Sequence, residues 1–285
     1  MRPLVQGDSE VPMRRRGREV AQAGEEEVVT SGLADLDGEK VKYLVAGSGP
    51  AVLLVPGWSL PPNIYAKSME LLARQGFRVA IPEIYGSRAR IAEAKSIAGL
   101  AEFAARFAKS VFLGQPYSVI GHSLGGGIAI CLAAAREVGH LALVNSIGDP
   151  SWSARGKAST LAARPLADWV GAFFADMRQT ANKRKNVPRI LYEATGEIVR
   201  NPARVVQCGL LARTADLRVE ITKVAASSAK TLAIWTRQDP VVPYESFASL
   251  ARGLGAQVWE TNGAHGWIFT APEEFSRVVG GFLQS

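Results

Sequence analysis

The stretch "SVIGHSLGGGIAICLAAA", residues 118–135, decides how this chain is read. Apolar residues rise to Ser123, which stands between Gly121 and Gly125, and a long apolar run with helical character follows. A buried strand that turns sharply into a helix needs glycines two positions either side of its central residue, where strand and helix backbones approach closely. The serine hydroxyl is then thrust up from the strand end. The backbone N–H of Leu124, at the helix start, points into the same space and can stabilise an oxyanion. The spacing predicts a strand over 117–121, a helix over 124–136, and Ser123 as a nucleophile.

Working outward, strand and helix patterns alternate. Ala51 to Val55 is a continuous apolar run, as in a strand buried on both faces. A strand over 41–45 precedes it. A helix over 64–75, the strand "FRVAIPEIYG" and an amphipathic helix over 92–112 follow it. After the serine come "HLALVNSIG", "TLAIWT", a helix over 243–254, "QVWET" and a helix over 272–283. Alternation of this kind implies an α/β fold: a mainly parallel, doubly wound sheet with helices on both faces. Between 150 and 229 the pattern is mostly helical, too long for a loop, and reads as an inserted helical cap. The expected organisation is a flexible N-terminal arm over 1–36, a core over 37–149 and 230–285, and the cap between.

Composition narrows the classes. The formal charge is +7, but no basic run is interleaved with stacking aromatics, so nucleic acid is not an expected partner. No apolar stretch reaches the ~18 residues of a membrane span. Arg14, Arg15, Arg16 and Arg18 are followed by "EVAQAGEEEV" where a signal peptide needs an apolar segment. Two cysteines, Cys131 and Cys208, make no disulfide framework and suit a reducing, cytoplasmic location. Cys131 reads as a small buried residue.

A serine needs a base, and there are three histidines. His122 adjoins Ser123, and successive side chains diverge there, so it reads as pocket lining. His140 begins a strand and reads as structural. His265, in "TNGAHGW", opens at the carboxyl end of the sheet and is the base by elimination and position. The acid that fixes its tautomer is Asp239, in "RQDPVVP", with Asp149, in "IGDP", as the rival. The loop after Val55, "PGWSLPP", supplies the second oxyanion donor: the N–H of Trp58, with Ser59 as the alternative. Trp58 also reads as a pocket wall.

Taken together, "GSGPAVLLVPGW", "GHSLGG", "RQDPVVP" and "GAHGW" make the chain, from about Gly38 to its end, resemble the α/β-hydrolase superfamily, in its capped, esterase- or lipase-like form. The order Ser…Asp…His matches. Two features depart from the family pattern: Pro56-Gly57 stands where His-Gly is common, and "EIYG" stands where Asp-x-Pro-Gly is common. The resemblance implies a serine hydrolase of carboxylic esters with no metal and no organic cofactor. Trp169, Phe173 and Trp267 join Trp58 and His122 as expected substrate contacts under the cap. From Ser151 to Lys230 there are 14 Lys and Arg against 6 Asp and Glu, so 14 − 6 = +8. Esterases resembling this one use cap arginines on acidic partners, which makes an acidic acyl carrier or an anionic lipid surface the expected partner beside the small-molecule ester. The same triad and cap also suit hydrolysis of a carbon–carbon bond in a vinylogous diketone, or acyl transfer. A non-catalytic ligand receptor on this fold is the reading outside enzymes.

Overall fold

The computed structural model describes residues 29–58, 60–85, 95–149 and 202–285. Eight strands form one sheet in the order β1-β2-β4-β3-β5-β6-β7-β8. They are β1 Thr30–Leu36, β2 Glu39–Ala46, β3 Ala51–Val55, β4 Arg78–Pro82, β5 Tyr117–His122, β6 His140–Val144, β7 Lys230–Thr236 and β8 Gln257–Thr261. The β1–β2 and β2–β4 ladders are antiparallel, and all others are parallel.

Alternate residues of the central strands face opposite layers, which is why those strands are apolar throughout. Leu53, Val55, Val119, Leu141 and Leu143 pack on one side, with α2 Ile97–Val111 and α3 Leu124–Ala135. Val52, Leu54, Ile120, Ala142, Val144 and Ile234 pack on the other, with α1 Ala66–Ala73 and α8 Pro272–Leu283. Further helices are α4 Pro202–Thr214, α5 Arg218–Ala225, α6 Tyr244–Leu254 and the single turn α7 Trp267–Thr270. The doubly wound α/β sheet expected from the sequence is therefore present. Its helices begin later than the pattern suggested where short turns precede them, as with the 3-10 turn Pro62–Tyr65 ahead of α1.

Two expectations on domain limits change. An arm reaching residue 36 gives way at its end to β1, which pairs along its whole length with β2. Their connection is a two-residue turn, with Asp37 at φ 55° and Gly38 at φ 90°. Both central residues at positive φ match the twist of the flanking strands. Residues 202–229, assigned to the cap, contain α5, which packs on α3 and α6; Ile221 and Val224 of this helix, and Leu217 just ahead of it, are buried in the sheet-side core. The remainder of the expected cap lies outside the described residues.

Candidate active site

Parallel registers bring the ends of five strands to one edge. Val55 is level with Gly121, His122 with Val144, Val144 with Ile234, and Thr236 with Thr261. The loops that follow carry Trp58, Ser123, Asn145, Asp239 and His265. Chain segments more than a hundred residues apart meet there because the sheet aligns their ends, not because local sequence does.

Ser123 occupies φ 56°, ψ −120°, a region that side-chain-bearing residues rarely enter. Its N–H donates to the Val144 carbonyl (3.0 Å), and its carbonyl accepts from the N–H groups of Gly126 (3.0 Å) and Ile147 (3.3 Å). These three bonds hold the strained residue in place. The flanking glycines are required by contact. A Cβ at Gly121 would lie 2.6 Å from the Gly125 carbonyl oxygen and the Gly126 Cα, and one at Gly125 would collide with the carbonyl oxygens of Val55 and Pro56. Leu124 begins α3, so its N–H is among the first-turn donors that find no acceptor within the helix.

The Ser123 Oγ lies 2.8 Å from His265 Nε2, and His265 Nδ1 lies 2.8 Å from Asp239 Oδ2. A carboxylate only accepts, so Nδ1 carries the proton and Nε2 is left to accept from the serine hydroxyl. The other Asp239 oxygen accepts from the backbone N–H groups of Val241 (2.7 Å) and Val242 (3.0 Å). The Asp239 side chain is fully buried, and Ser123 and His265 are nearly so. An imidazole positioned like this can take a proton from the hydroxyl while the buried carboxylate stabilises the resulting charge.

The other expected site residues divide. Asp149 does not join this group: its Oδ2 accepts from Ser249 Oγ (2.7 Å) and its carbonyl from Ser246 Oγ (2.9 Å), both on α6. His140 sits at the opposite end of β6, near Ser118 and the chain end. His122 is corrected as pocket lining. It is completely buried, with Nδ1 2.9 Å from the Tyr65 hydroxyl and Nε2 3.0 Å from the His265 carbonyl oxygen. Burial, with His265 beside it, holds its pKa down to about 3, so it stays neutral. Trp267 is likewise corrected. It is 1% exposed, starts α7, and donates its indole N–H to Glu274 (3.0 Å). Trp58 is half-buried, and its indole nitrogen is buried without a hydrogen-bond partner among the described residues. Ser59, Trp169 and Phe173 lie outside the described residues. Cys131 is buried, as read.

Sequence reasoning passed over Tyr65, Asn145 and Thr236. Asn145 is fully buried at φ 46°, and its amide donates to the His265 carbonyl (3.0 Å) and to Thr236 Oγ1 (3.0 Å). A polar residue at the carboxyl end of an apolar strand was its signal, the same signal that singled out Asp239. Among the described residues no helix is long and apolar enough to cross a membrane, and no three His, Cys, Asp or Glu side chains cluster as metal ligands would.

Comparison with known proteins matches residues 52–278 to the alpha/beta hydrolase family. The pimeloyl-[acyl-carrier protein] methyl ester esterase of Nitrosomonas europaea is 30% identical over 212 residues, covering 69% of this chain and 80% of that protein. The dihydrolipoyllysine-residue acetyltransferase component of the acetoin cleaving system of Cupriavidus necator is 27% identical over 258 residues. That match covers 85% of this chain and 66% of the relative's length. Among solved structures, a bromoperoxidase from Bacillus anthracis superposes with a TM-score of 0.71 at 16% identity, over 90% of this chain and 100% of that one, which is a likeness of fold.

Proposed function

The chain belongs to the alpha/beta hydrolase family, and on that premise we propose that it is a serine hydrolase acting on carboxylic esters. Ser123 Oγ attacks the ester carbonyl as His265 Nε2 takes its proton. The oxyanion is held by the N–H groups of Leu124 and Trp58. His265 then returns the proton to the leaving alcohol, which departs and leaves an acyl-serine. A water, deprotonated by the same nitrogen, attacks the acyl-serine; the bond to Ser123 Oγ then breaks, His265 returns the proton to that oxygen, and the acid is released. Asp239 keeps the proton on Nδ1 throughout and faces the imidazolium when it forms. The single observation that carries this reading is the pair of 2.8 Å contacts from Asp239 to His265 to Ser123, which fixes the tautomer that a base needs.

The substrate reading is an ester whose acyl part enters beside Trp58, with the charge of the basic segment over 151–230 suited to an acidic carrier. The Nitrosomonas europaea relative, named as a pimeloyl-[acyl-carrier protein] methyl ester esterase, supports it, as does the +8 of that segment. Acyl transfer is a second reading, favoured by the relative named as an acetyltransferase component. It differs only in that an alcohol or thiol, not water, attacks the acyl-serine.

Labelling with a fluorophosphonate probe tests the proposal. Wild type is expected to label, and Ser123→Ala and His265→Ala are not. A p-nitrophenyl ester series then gives turnover that peaks at one chain length. A well-folded wild type that neither labels nor turns over any ester overturns the hydrolase reading and favours a receptor.

A further inference from the structure

A buried chain of hydrogen bonds runs beside the reacting groups and belongs to none of them. The Gly57 N–H donates to the Tyr65 hydroxyl oxygen at 2.9 Å. That oxygen has its own hydrogen left to donate, and His122 Nδ1 lies 2.9 Å away. With Nδ1 accepting, the His122 proton is on Nε2, which donates to the backbone carbonyl of His265 at 3.0 Å. Tyr65 and His122 are both completely excluded from solvent. Burial drives the Tyr65 phenol pKa upward and the His122 pKa downward, so neither end of the chain ionises. The fit is tight: a Cβ on Gly57 would lie 2.9 Å from His122 Nδ1.

Both ends of this chain land on backbone that matters to the reaction. At one end, the Gly57 carbonyl accepts from the Leu60 N–H at 3.2 Å. The Gly57–Trp58 peptide is trans and planar, so its N–H, that of Trp58, points opposite to this carbonyl. Tyr65 holds the nitrogen side of Gly57 and Leu60 its carbonyl, and together they aim the Trp58 N–H. At the other end, the His265 carbonyl receives two donors, His122 Nε2 and Asn145 Nδ2, the latter also at 3.0 Å. Two donors on one carbonyl fix the backbone from which the imidazole reaches Ser123.

We propose that Tyr65 and His122 are positioning residues. Their hydrogen bonds set the oxyanion loop at Gly57–Trp58 and the base at His265 as one unit, so that disturbing either link disturbs both. This rests on the serine-hydrolase reading for its catalytic consequence, but the mechanical coupling of the two loops stands apart from it.

Tyr65→Phe keeps the ring and removes only the linking oxygen. His122→Asn cuts the chain on the His265 side and leaves Tyr65 in place. Each is measured by steady-state ester kinetics, normalised to fluorophosphonate-titrated sites, and by amide hydrogen exchange over residues 57–60 and 264–267. The expected result is a loss of about ten-fold to a hundred-fold in kcat, as for reacting groups displaced by a fraction of an ångström up to 1 Å, with KM within about two-fold. Each variant is also expected to speed exchange in both segments, including the one it does not touch. A merely structural role would lower the Tm, speed exchange next to the substitution alone, and leave kcat per titrated site unchanged; that pattern overturns the proposal. Should one variant fail to fold, the other reads both segments. A wild type without labelling or turnover refutes the hydrolase reading alone, because the exchange measurement still decides whether the two loops move together.

Discussion

Asp239→Asn should abolish nearly all activity while leaving the fold intact, and the reason lies in the backbone around it. One carboxylate oxygen accepts from two peptide N–H groups, those of Val241 (2.7 Å) and Val242 (3.0 Å). In the asparagine variant only the amide oxygen can take that place. The NH2 group is then forced toward His265 Nδ1, 2.8 Å away in the wild type, and must donate to it. His265 answers by moving its proton to Nε2, which then points a hydrogen at the Ser123 hydroxyl and accepts nothing. Flipping the amide would face its NH2 against two backbone donors and forfeit two buried hydrogen bonds, at about 1–3 kcal/mol for each unsatisfied group. The Asp239 side chain is 0% exposed, so water does not substitute. A wrong tautomer in such a triad lowers kcat by about 10⁴-fold, or roughly 5 kcal/mol of barrier. The assay is kcat on a p-nitrophenyl ester, with circular dichroism to confirm folding. Asp149→Asn serves as the comparison and is expected within about three-fold of wild type, since a change that spares the tautomer removes no transition-state contact. A loss below about ten-fold for Asp239→Asn, or an equal loss for Asp149→Asn, would refute the assignment of Asp239 as the group that orients His265.

Two further outcomes follow from packing and burial. A Cβ at Gly126 would collide with Ser146 Oγ and lie 2.5 Å from Ser146 Cβ, in a buried position where that short side chain has no room to retreat. Gly126→Ala is therefore expected to lose about 1–3 kcal/mol by overpacking, read as a lowered urea midpoint. Adding Ser146→Gly should recover most of the loss; no recovery would place the clash elsewhere. His122 has a folded-state pKa near 3, against about 6.5 unfolded. Between those values the unfolded chain binds the proton and the folded one does not, so stability is full above about pH 6.5 and falls as pH drops toward 3. From pH 7.5 to 5.0 this single group should cost about 2 kcal/mol. His122→Asn should flatten that part of the urea-derived profile, and an unchanged slope would mean that His122 is not buried neutral.

The sequence was most informative where burial and geometry act on single residues. Ala51–Val55 read as a two-sided strand because both of its faces are covered, and it is one. Ser123 and Asp239 could be singled out because each follows an apolar strand at its carboxyl end, and His265 because it is one of three histidines and follows the exposed edge strand β8; a parallel sheet brings such ends together. β1 was harder to see. "TSGLADL" alternates weakly, and its burial confirms this, with only Ala34 and Leu36 fully covered. The clearer mark was Asp37-Gly38, a two-residue turn pair that announces a hairpin before either strand looks convincing. Side-chain direction was illegible. Trp267 is two residues from His265 and on sequence alone is expected to contact substrate, yet the turn of α7 sends its ring into the core against Phe275. Neighbours in sequence share a loop without sharing a face.

His122 shows the same point with more consequence. Divergence from Ser123 was correctly expected from adjacency on a sharp turn, but divergence does not say toward what. The side chain goes down into the layer beneath the strand end, where a neutral imidazole is nearly the only residue that can accept at one nitrogen and donate from another across two loops. A purely apolar residue would leave the Tyr65 hydroxyl without its acceptor and the His265 carbonyl with one donor fewer. Ser123 supplies the complementary constraint from above. Its strained backbone costs on the order of 1–3 kcal/mol and persists because Val144, Gly126 and Ile147 each bond it. Ser123 Oγ and His265 Nε2 thus sit between a strained turn held by main-chain bonds and a buried polar layer held by side-chain bonds. Ser123 is held from one side and the His265 backbone from the other, so loosening either layer is expected to alter their separation. The Ser123–His265 distance is for that reason a property of the sheet edge as a whole and not of either loop.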